Sequence, residues 1–337
     1  MKAVGYYRSL PIAEAESLLD LELETPSPAG RDLLVKIEAI SVNPVDTKVR
    51  MRAAGERGKP KILGYDAAGT VAAVGSECQL FRPGDTVWYA GSILRQGTNA
   101  EFHLVDERIV GTKPKSLSFA QAAALPLTAI TAWEMLFDRF GIRIGKPPEA
   151  GSLLIIGGAG GVGSIAIQLA RRLTGLTVIA TASRPETRQW CLEHGVHHVI
   201  DHREAFGPQL AAIGLPGVDY VFGVTESGRH LPAIVEAIAP QGKFGLIDDP
   251  KALDVLPFKR KCVSIHWEAM FARSMFGTPD MILQHVLLTE VASLVDEGLI
   301  RTTMGETLGR IDAATLKTAH ARIESGRTVG KIVLAGF

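Results

Sequence analysis

Three clusters of residue types in this sequence could carry chemistry. The first is Gly157-Gly158-Ala159-Gly160-Gly161-Val162-Gly163, which follows the apolar stretch Leu153-Leu154-Ile155-Ile156 and leads into a helical pattern. Gly158, Gly160 and Gly163 fit the spacing G-x-G-x-x-G. A side chain there would keep a pyrophosphate away from the backbone N–H groups, and the helix N-terminus adds partial positive charge. The implied chemistry is dinucleotide binding, with Gly158, Gly160, Gly161, Val162 and Gly163 around the pyrophosphate. A glycine-rich turn without a ligand is the plain alternative; a strand before it and an amphipathic helix after it count against that reading. The second cluster is Ser183-Arg184, at the end of the next apolar stretch. Sites specific for NAD carry Asp or Glu at this strand end, about 20 residues past the glycines, to hold the ribose 2′-OH. Thr181-Ala182-Ser183-Arg184-Pro185 has no carboxylate, and Glu186 after the proline is expected in a helix's first turn. Ser183 can hydrogen-bond a 2′-phosphate and Arg184 can pair with it bidentately, so NADPH is expected over NADH. The other reading has Ser183 capping the helix and Arg184 in solvent.

The third cluster is Asn43-Pro44-Val45-Asp46-Thr47-Lys48, which follows an apolar strand. The Asn43 amide can both donate and accept hydrogen bonds, which suits it to fixing a ribose hydroxyl or a substrate oxygen. Lys48 could stabilise oxyanion character and donate a proton; a solvated surface lysine is the bland alternative. Asp46 either orients Lys48 or caps a short helical turn. A fourth group, His194, His197, His198 and His202, overlaps a strand, where adjacent residues point to opposite faces. A surface or core histidine cluster is expected there rather than a zinc site.

The elements that must position these groups fall into two textures. In the first third, Leu33, Val35, Ile37 and Ala39 share one face at period two, and Gly64–Gly75, Thr86–Tyr89 and Ala100–Val105 read as further short strands. Such strands with turn signals between them suggest a small barrel-like β domain. Near Ser116 the texture changes: Ser118 and Gln121 have capping-box spacing, and Pro126 interrupts an alanine-rich helix that resumes over Leu127–Phe137. From Leu153 onward, apolar runs at 153–157, 177–182, 197–200, 218–224, 243–247 and 262–267 read as parallel strands buried on both faces. Helical stripes separate several of them, such as Val162, Ile165, Ala166, Leu169, Ala170 and Leu173. This order spells a doubly wound α/β sheet. Two more helices, about 281–297 and from Asp312 to near Gly326, precede a last strand at Lys331–Leu334.

The 337 residues suggest about two domains. Lys+Arg and Asp+Glu both number 36, which argues against a partner held by phosphate charge, whether nucleic acid or an anionic membrane. Cys78, Cys191 and Cys262 are too few and too widely spaced for a disulfide framework or a thiolate zinc cluster. No apolar run reaches about 18 residues, so no membrane-spanning helix is expected. The N-terminus lacks an apolar signal core, so the expected location is a reducing cytoplasm.

The sequence resembles the medium-chain dehydrogenase/reductase superfamily, and within it the quinone oxidoreductases and zinc-type alcohol dehydrogenase-like proteins. The resemblance rests on Asn43–Lys48, Gly64-Tyr65-Asp66-Ala67-Ala68-Gly69-Thr70-Val71, Pro83-Gly84-Asp85, Ala124-Leu125-Pro126, the glycine loop, Val199-Ile200-Asp201 and Gly330-Lys331-Ile332-Val333-Leu334. It implies a GroES-like catalytic domain over 1–126, completed by 272–337, and a Rossmann NADP(H)-binding domain over 127–271, with a cleft between them. It implies that Asn43 and Thr128 approach the nicotinamide end and that His202 lies beside the adenosine ribose, where relatives often carry Tyr. Val224 and Lys331 join the implied cofactor contacts. Lys48 stands where related quinone reductases often have Tyr. A homodimer paired through the last Rossmann strand, near Val263–Trp267, is also implied.

The resemblance places a zinc-ligating Cys near Asn43 and a His-Glu pair near Tyr65-Asp66; this chain has neither Cys nor His there. Gly91–Glu101 carries none of the cysteines of a structural zinc lobe. Without a Lewis acid, simple alcohol oxidation is disfavoured, whereas a conjugated acceptor delocalises its developing charge. The expected function is NADPH-dependent transfer of hydride to a quinone, enone or related activated carbonyl, with Lys48, Asn43 and Asp46 as catalytic candidates. The rivals are a zinc-dependent alcohol dehydrogenase using unconventional ligands and a non-catalytic NADPH-binding sensor or structural protein.

Overall fold

The computed structural model describes every residue except Arg57 and Pro148. The chain divides into two compact units, one of Met1–Ile130 with Phe271–Phe337 and the other of Thr131–Met270. Among the described residues, no helix is long and apolar enough to cross a membrane.

The first unit is β-rich. Its strands are β1 (Lys2–Tyr6), β2 (Leu19–Glu22), β3 (Asp32–Val42), β4 (Lys61–Ile62), β5 (Asp66–Val74), β6 (Thr86–Ala90), β7 (Phe102–Asp106) and β8 (Val110–Thr112). Two more, β15 (Met304–Thr307) and β16 (Lys331–Ala335), come from the end of the chain. The main sheet runs β15-β16-β3-β5-β6-β8, with β7 on β3, and a small sheet runs β2-β1-β4. The alternation along β3 is what builds the core: Leu33, Val35 and Ile37 are buried with Val71, Val87, Val105 and Ile332. β16 pairs antiparallel with β3, Ile332 opposite Val42, which brings the C-terminal segment to the strand that leads into Asn43. Helix α1 (Pro44–Arg52) follows β3 at once, and α2 (Phe119–Ala123) is opened by the Ser118–Gln121 capping box. Helix α3 begins at Pro126 and runs to Trp133.

The second unit is a parallel sheet of β9 (Ser152–Ile156), β10 (Thr177–Thr181), β11 (His198–Ile200), β12 (Val218–Gly223), β13 (Ile238–Leu246) and β14 (Ser264–Trp267). Its order, β11-β10-β9-β12-β13-β14, is that of a doubly wound dinucleotide-binding sheet. Helices α4 (Gly161–Leu173), α5 (Pro185–Glu193), α6 (Phe206–Ala212) and α7 (Ser227–Ala237) lie in the connections. The chain then returns to the first unit with α8 (Ala272–Phe276), α9 (Leu283–Asp296) and α10 (Ala313–Glu324), the last capped by the Asp312 side chain.

Three elements differ from the sequence pattern. The helix expected over Leu127–Phe137 is α-helical only to Trp133 and continues as a π-helix over Glu134–Arg139. There Met135 packs so closely on Gly245 that a Cβ at 245 would lie 2.2 Å from its Sδ. β13 begins at Ile238, ahead of the apolar run expected at 243–247; Gln241 takes φ 64° and the pairing with β12 shifts register there. β14 starts at Ser264 rather than Cys262, because Cys262 adopts a left-handed conformation, φ 51°, that ends the 3-10 turn Leu256–Lys261.

Candidate functional site

In the second unit, each glycine of the loop answers a different demand. Gly157 turns out of β9 at φ +90°, a conformation that L side chains rarely adopt, and its N–H donates to Thr181 Oγ1 at 3.0 Å. A Cβ on Gly158 would lie 2.6 Å from Ala180 Cβ, and one on Gly163 would lie 2.3 Å from the Gly157 carbonyl oxygen. Those two positions are fixed by close packing of helix, loop and strand. Gly160 is different: a Cβ there would meet only the Gly157 oxygen, at an ordinary 3.6 Å. Ser164 N–H donates to the Gly160 carbonyl and opens the α4 ladder. The N–H groups of Gly161, Val162 and Gly163 precede it and have no acceptor within the helix. With the dipole of a 13-residue helix behind them, they form a ready cradle for a pyrophosphate. Val224 lies on the same edge of the sheet, its N–H donating to Ile156 O at 3.2 Å.

The neighbouring strand ends gather cations around Ser183. Thr181 of β10 and Ile200 of β11 are parallel partners, so Ser183 and His202 leave the sheet side by side. Ser183 and Arg184 are half-buried. Glu186 sits in the first turn of α5, with its Oε1 3.2 Å from Arg184 Nε. Arg203, which sequence reasoning did not single out, donates from its guanidinium to the Ser183 carbonyl at 3.1 Å and to Asp201 at 2.6 Å. That hydrogen-bonded pairing pulls the Asp201 carboxyl down to about 2. Arg188 donates to Ala182 O and Val199 O just beneath. Ser183 with Arg184 and Arg203 fits a 2′-phosphate, and the two nearby carboxylates, Glu186 and Asp201, already face arginines. The signal for Arg203 was present in Asp201-His202-Arg203, directly after the third strand. The His202 ring lies 5.9 Å from that of His230, and burial holds both below the ordinary histidine range.

In the first unit, the residues of the Asn43–Lys48 segment lie at the head of α1. Asn43 is the N-cap, and Asp46 closes the capping box by accepting the Asn43 N–H at 2.7 Å. Its second oxygen accepts the Gly64 N–H at 3.0 Å. Asp46 is therefore a cap, with both oxygens engaged by backbone. Burial pushes its carboxyl up to about 7, against the downward pull of the Asn43 N–H, Lys331 and the Gly64 N–H. Lys48 is half-buried on the same helix. Thr128 is buried at the start of α3, its hydroxyl donating to Leu125 O at 2.9 Å.

The Asn43 amide is not open to a ligand oxygen as expected. Its Nδ2 donates to Asp66 Oδ2 at 2.8 Å and its Oδ1 accepts from Lys331 Nζ. Asp66 is the centre of this network: Oδ2 also accepts from Ser41 Oγ at 2.9 Å and Lys331 Nζ at 2.9 Å, while Oδ1 accepts the Leu127 N–H at 2.7 Å. Ser41, Asn43, Asp66 and Lys331 are each at most 3% exposed, so the ion pair is fully desolvated. Lys331, placed by resemblance among the cofactor contacts, instead directs its ammonium at Asn43 and Asp66. The sequence hid this because residues 43 and 331 meet only through the antiparallel pairing of β3 and β16.

A zinc ion does not suit this donor set. Catalytic zinc takes three N, S or O ligands and an open position. Here the matching positions hold an amide, a phenol and a carboxylate, with an ammonium already bonded among them; Tyr65 packs edge-on against Phe271 at 5.1 Å. The histidine cluster does not converge either. His194 Nδ1 lies 2.7 Å from Trp190 O, and His197 Nδ1 accepts the Val178 N–H at 2.8 Å. Among the described residues, no group of three or more His, Cys, Asp or Glu side chains could hold a metal.

Comparison with known proteins agrees with this architecture. Residues 29–131 match the alcohol dehydrogenase GroES-like domain, and residues 194–334 match the zinc-binding dehydrogenase family. A zinc-type alcohol dehydrogenase-like protein of Staphylococcus aureus is 40% identical over 99% of both chains. A 2-methylene-furan-3-one reductase of Solanum lycopersicum is 38% identical over 60% of this chain and 52% of its own length. The crystal structure of a candidate zinc-dependent alcohol dehydrogenase from Rhizobium etli superposes with a TM-score of 0.97 at 58% identity, covering 100% of this chain and 98% of that one. The chain belongs to the medium-chain dehydrogenase/reductase superfamily and is an oxidoreductase of that family.

Proposed function

We propose that this protein is an NADPH-dependent reductase of quinones, enones or related activated carbonyls that works without catalytic zinc. The observation that carries the reading is the donor set at the zinc positions: Asn43, Tyr65 and Asp66, with the Lys331 ammonium bonded among them. With no Lewis acid to polarise an isolated carbonyl, the acceptor must delocalise its own developing charge. NADPH, when bound, supplies the hydride. The glycine cradle binds the pyrophosphate, and Ser183, Arg184 and Arg203 select the 2′-phosphate. Lys48 stabilises oxyanion character on the reduced acceptor and donates its ammonium proton to it, to be replaced from solvent. The tomato relative, named for reduction of a methylene-furanone, supports a conjugated acceptor.

The same reading takes the active form as a cytoplasmic homodimer. β14 pairs only with β13 among the described residues, leaving one edge of the sheet open, and Trp267 at its end is exposed. The test of function is a panel of quinones, enones, enoyl thioesters and aldehydes, scored by NADPH consumption. Turnover of quinones or enones supports the reading. Turnover of simple aldehydes alone favours a metal-dependent alcohol dehydrogenase, and NADPH binding with no turnover favours a sensor or structural protein.

A further inference from the structure

The sequence that withholds zinc ligands also supplies a cation of its own. Asp66 is a fully buried carboxylate, and a charge so placed needs a partner at hydrogen-bond distance. In a zinc-holding relative of this fold the resemblance puts the metal beside the segment equivalent to Asn43 and Tyr65-Asp66. In this chain Lys331 Nζ lies 2.9 Å from Asp66 Oδ2 and is hydrogen-bonded to Asn43 Oδ1. Ser41 Oγ and Asn43 Nδ2 complete the shell around the same oxygen, and Leu127 N–H occupies the other. Lys331 reaches this point because β16 pairs with β3, and Ile332, its neighbour, lies opposite Val42.

We propose that the Lys331 ammonium stands in for the metal ion: it is the internal cation that neutralises Asp66 and closes the position to a divalent metal. The pairing gives the Asp66 carboxylate a cationic partner without Cys or His at the other ligand positions. An ammonium has no vacant orbital, so it holds charge and orientation but cannot bind and activate a substrate oxygen as zinc does. That restriction deepens the metal-free part of the proposed function.

The test uses the full-length protein and needs neither NADPH nor an acceptor, so its failure is distinguishable from failure of the reductase reading. Wild type, Lys331→Met, Asp66→Asn and the double variant are stripped of metal, exposed to zinc or cobalt, dialysed and analysed for bound metal and thermal midpoint. Wild type is expected to retain no stoichiometric metal. Each single variant leaves one buried charge uncompensated and should lower the midpoint by roughly 5–15 °C, or fail to fold. The double variant, with both charges removed, should recover at least half of that loss. Stoichiometric metal in wild type, single variants with unchanged midpoints, or a double variant no more stable than the weaker single would each overturn the proposal.

Discussion

At the scale of single residues, the proposed cofactor preference rests on guanidinium groups. Losing one charged hydrogen bond to phosphate costs on the order of 1.5–3 kcal/mol, or roughly ten- to a hundredfold in affinity. Arg184→Ala and Arg203→Ala should each weaken NADPH binding by that factor while leaving NADH nearly unchanged, as read by titration of cofactor fluorescence. Lys48 makes a different prediction: Lys48→Met should lower kcat for an enone far more than it weakens NADPH binding. A quinone should suffer less, because its hydroquinone product can take its proton from solvent. A kcat within about twofold for all acceptors is under half a kcal/mol and would reduce Lys48 to a surface lysine. Residues 157–163 and 183–184 were legible because they are local patterns at strand ends. The Asp66–Lys331 pair was not, because its partners are separated by 265 residues, and no local spacing records an antiparallel pairing made by the last strand. Arg203 was readable in principle, but only through its register beside Ser183.

At the scale of elements, the glycine loop separates packing from binding. Gly163→Ala forces a Cβ against the Gly157 carbonyl and should destabilise the second unit by about 1–3 kcal/mol. Gly160→Ala has room within the chain and an extended backbone that alanine accepts, so its thermal midpoint should stay close to wild type. Its NADPH affinity should still fall by roughly tenfold, about 1.4 kcal/mol. The first unit carries its own pH dependence. Burial lowers His103 to about 4 and His320 to about 3, so both stay neutral in the fold where the unfolded chain binds protons. Their contribution is complete above about pH 6.5 and is lost as pH falls. Asp46, raised to about 7, has the opposite sign, since the fold holds its proton where the unfolded chain has released it. Two protons against one leave a net loss of about 1.4 kcal/mol per pH unit between roughly pH 6 and 4. Burial also lowers His197, His202, His230 and His266 of the second unit, so thermal melts across that range should show at least this slope, and His103→Gln should reduce it. The strands and helices were largely readable from period-two and period-3.6 patterns, the sheet's six strands included. The π-helix at Glu134–Arg139 was not: no local pattern marks it, and Met135 within it packs on Gly245, more than a hundred residues away.

At the scale of the whole molecule, the proposal of a small-molecule substrate rests on charge balance and architecture together. Lys+Arg and Asp+Glu are equal at 36, so the chain carries no net positive charge to gather a polyanion. The fold class followed from the order of elements, strands first and then alternating strands and helices, which is a property of the whole sequence rather than of any motif. Substrate identity was not legible in the same way, because it depends on how loops shape a pocket and no motif encodes that. Metal-free reduction by NADPH is tested by one measurement: NADPH consumption with an enone or quinone by protein treated with a strong chelator and verified free of zinc. Turnover should equal that of untreated protein, with added zinc giving no gain. Activity that disappears with the metal and returns with stoichiometric zinc would contradict it.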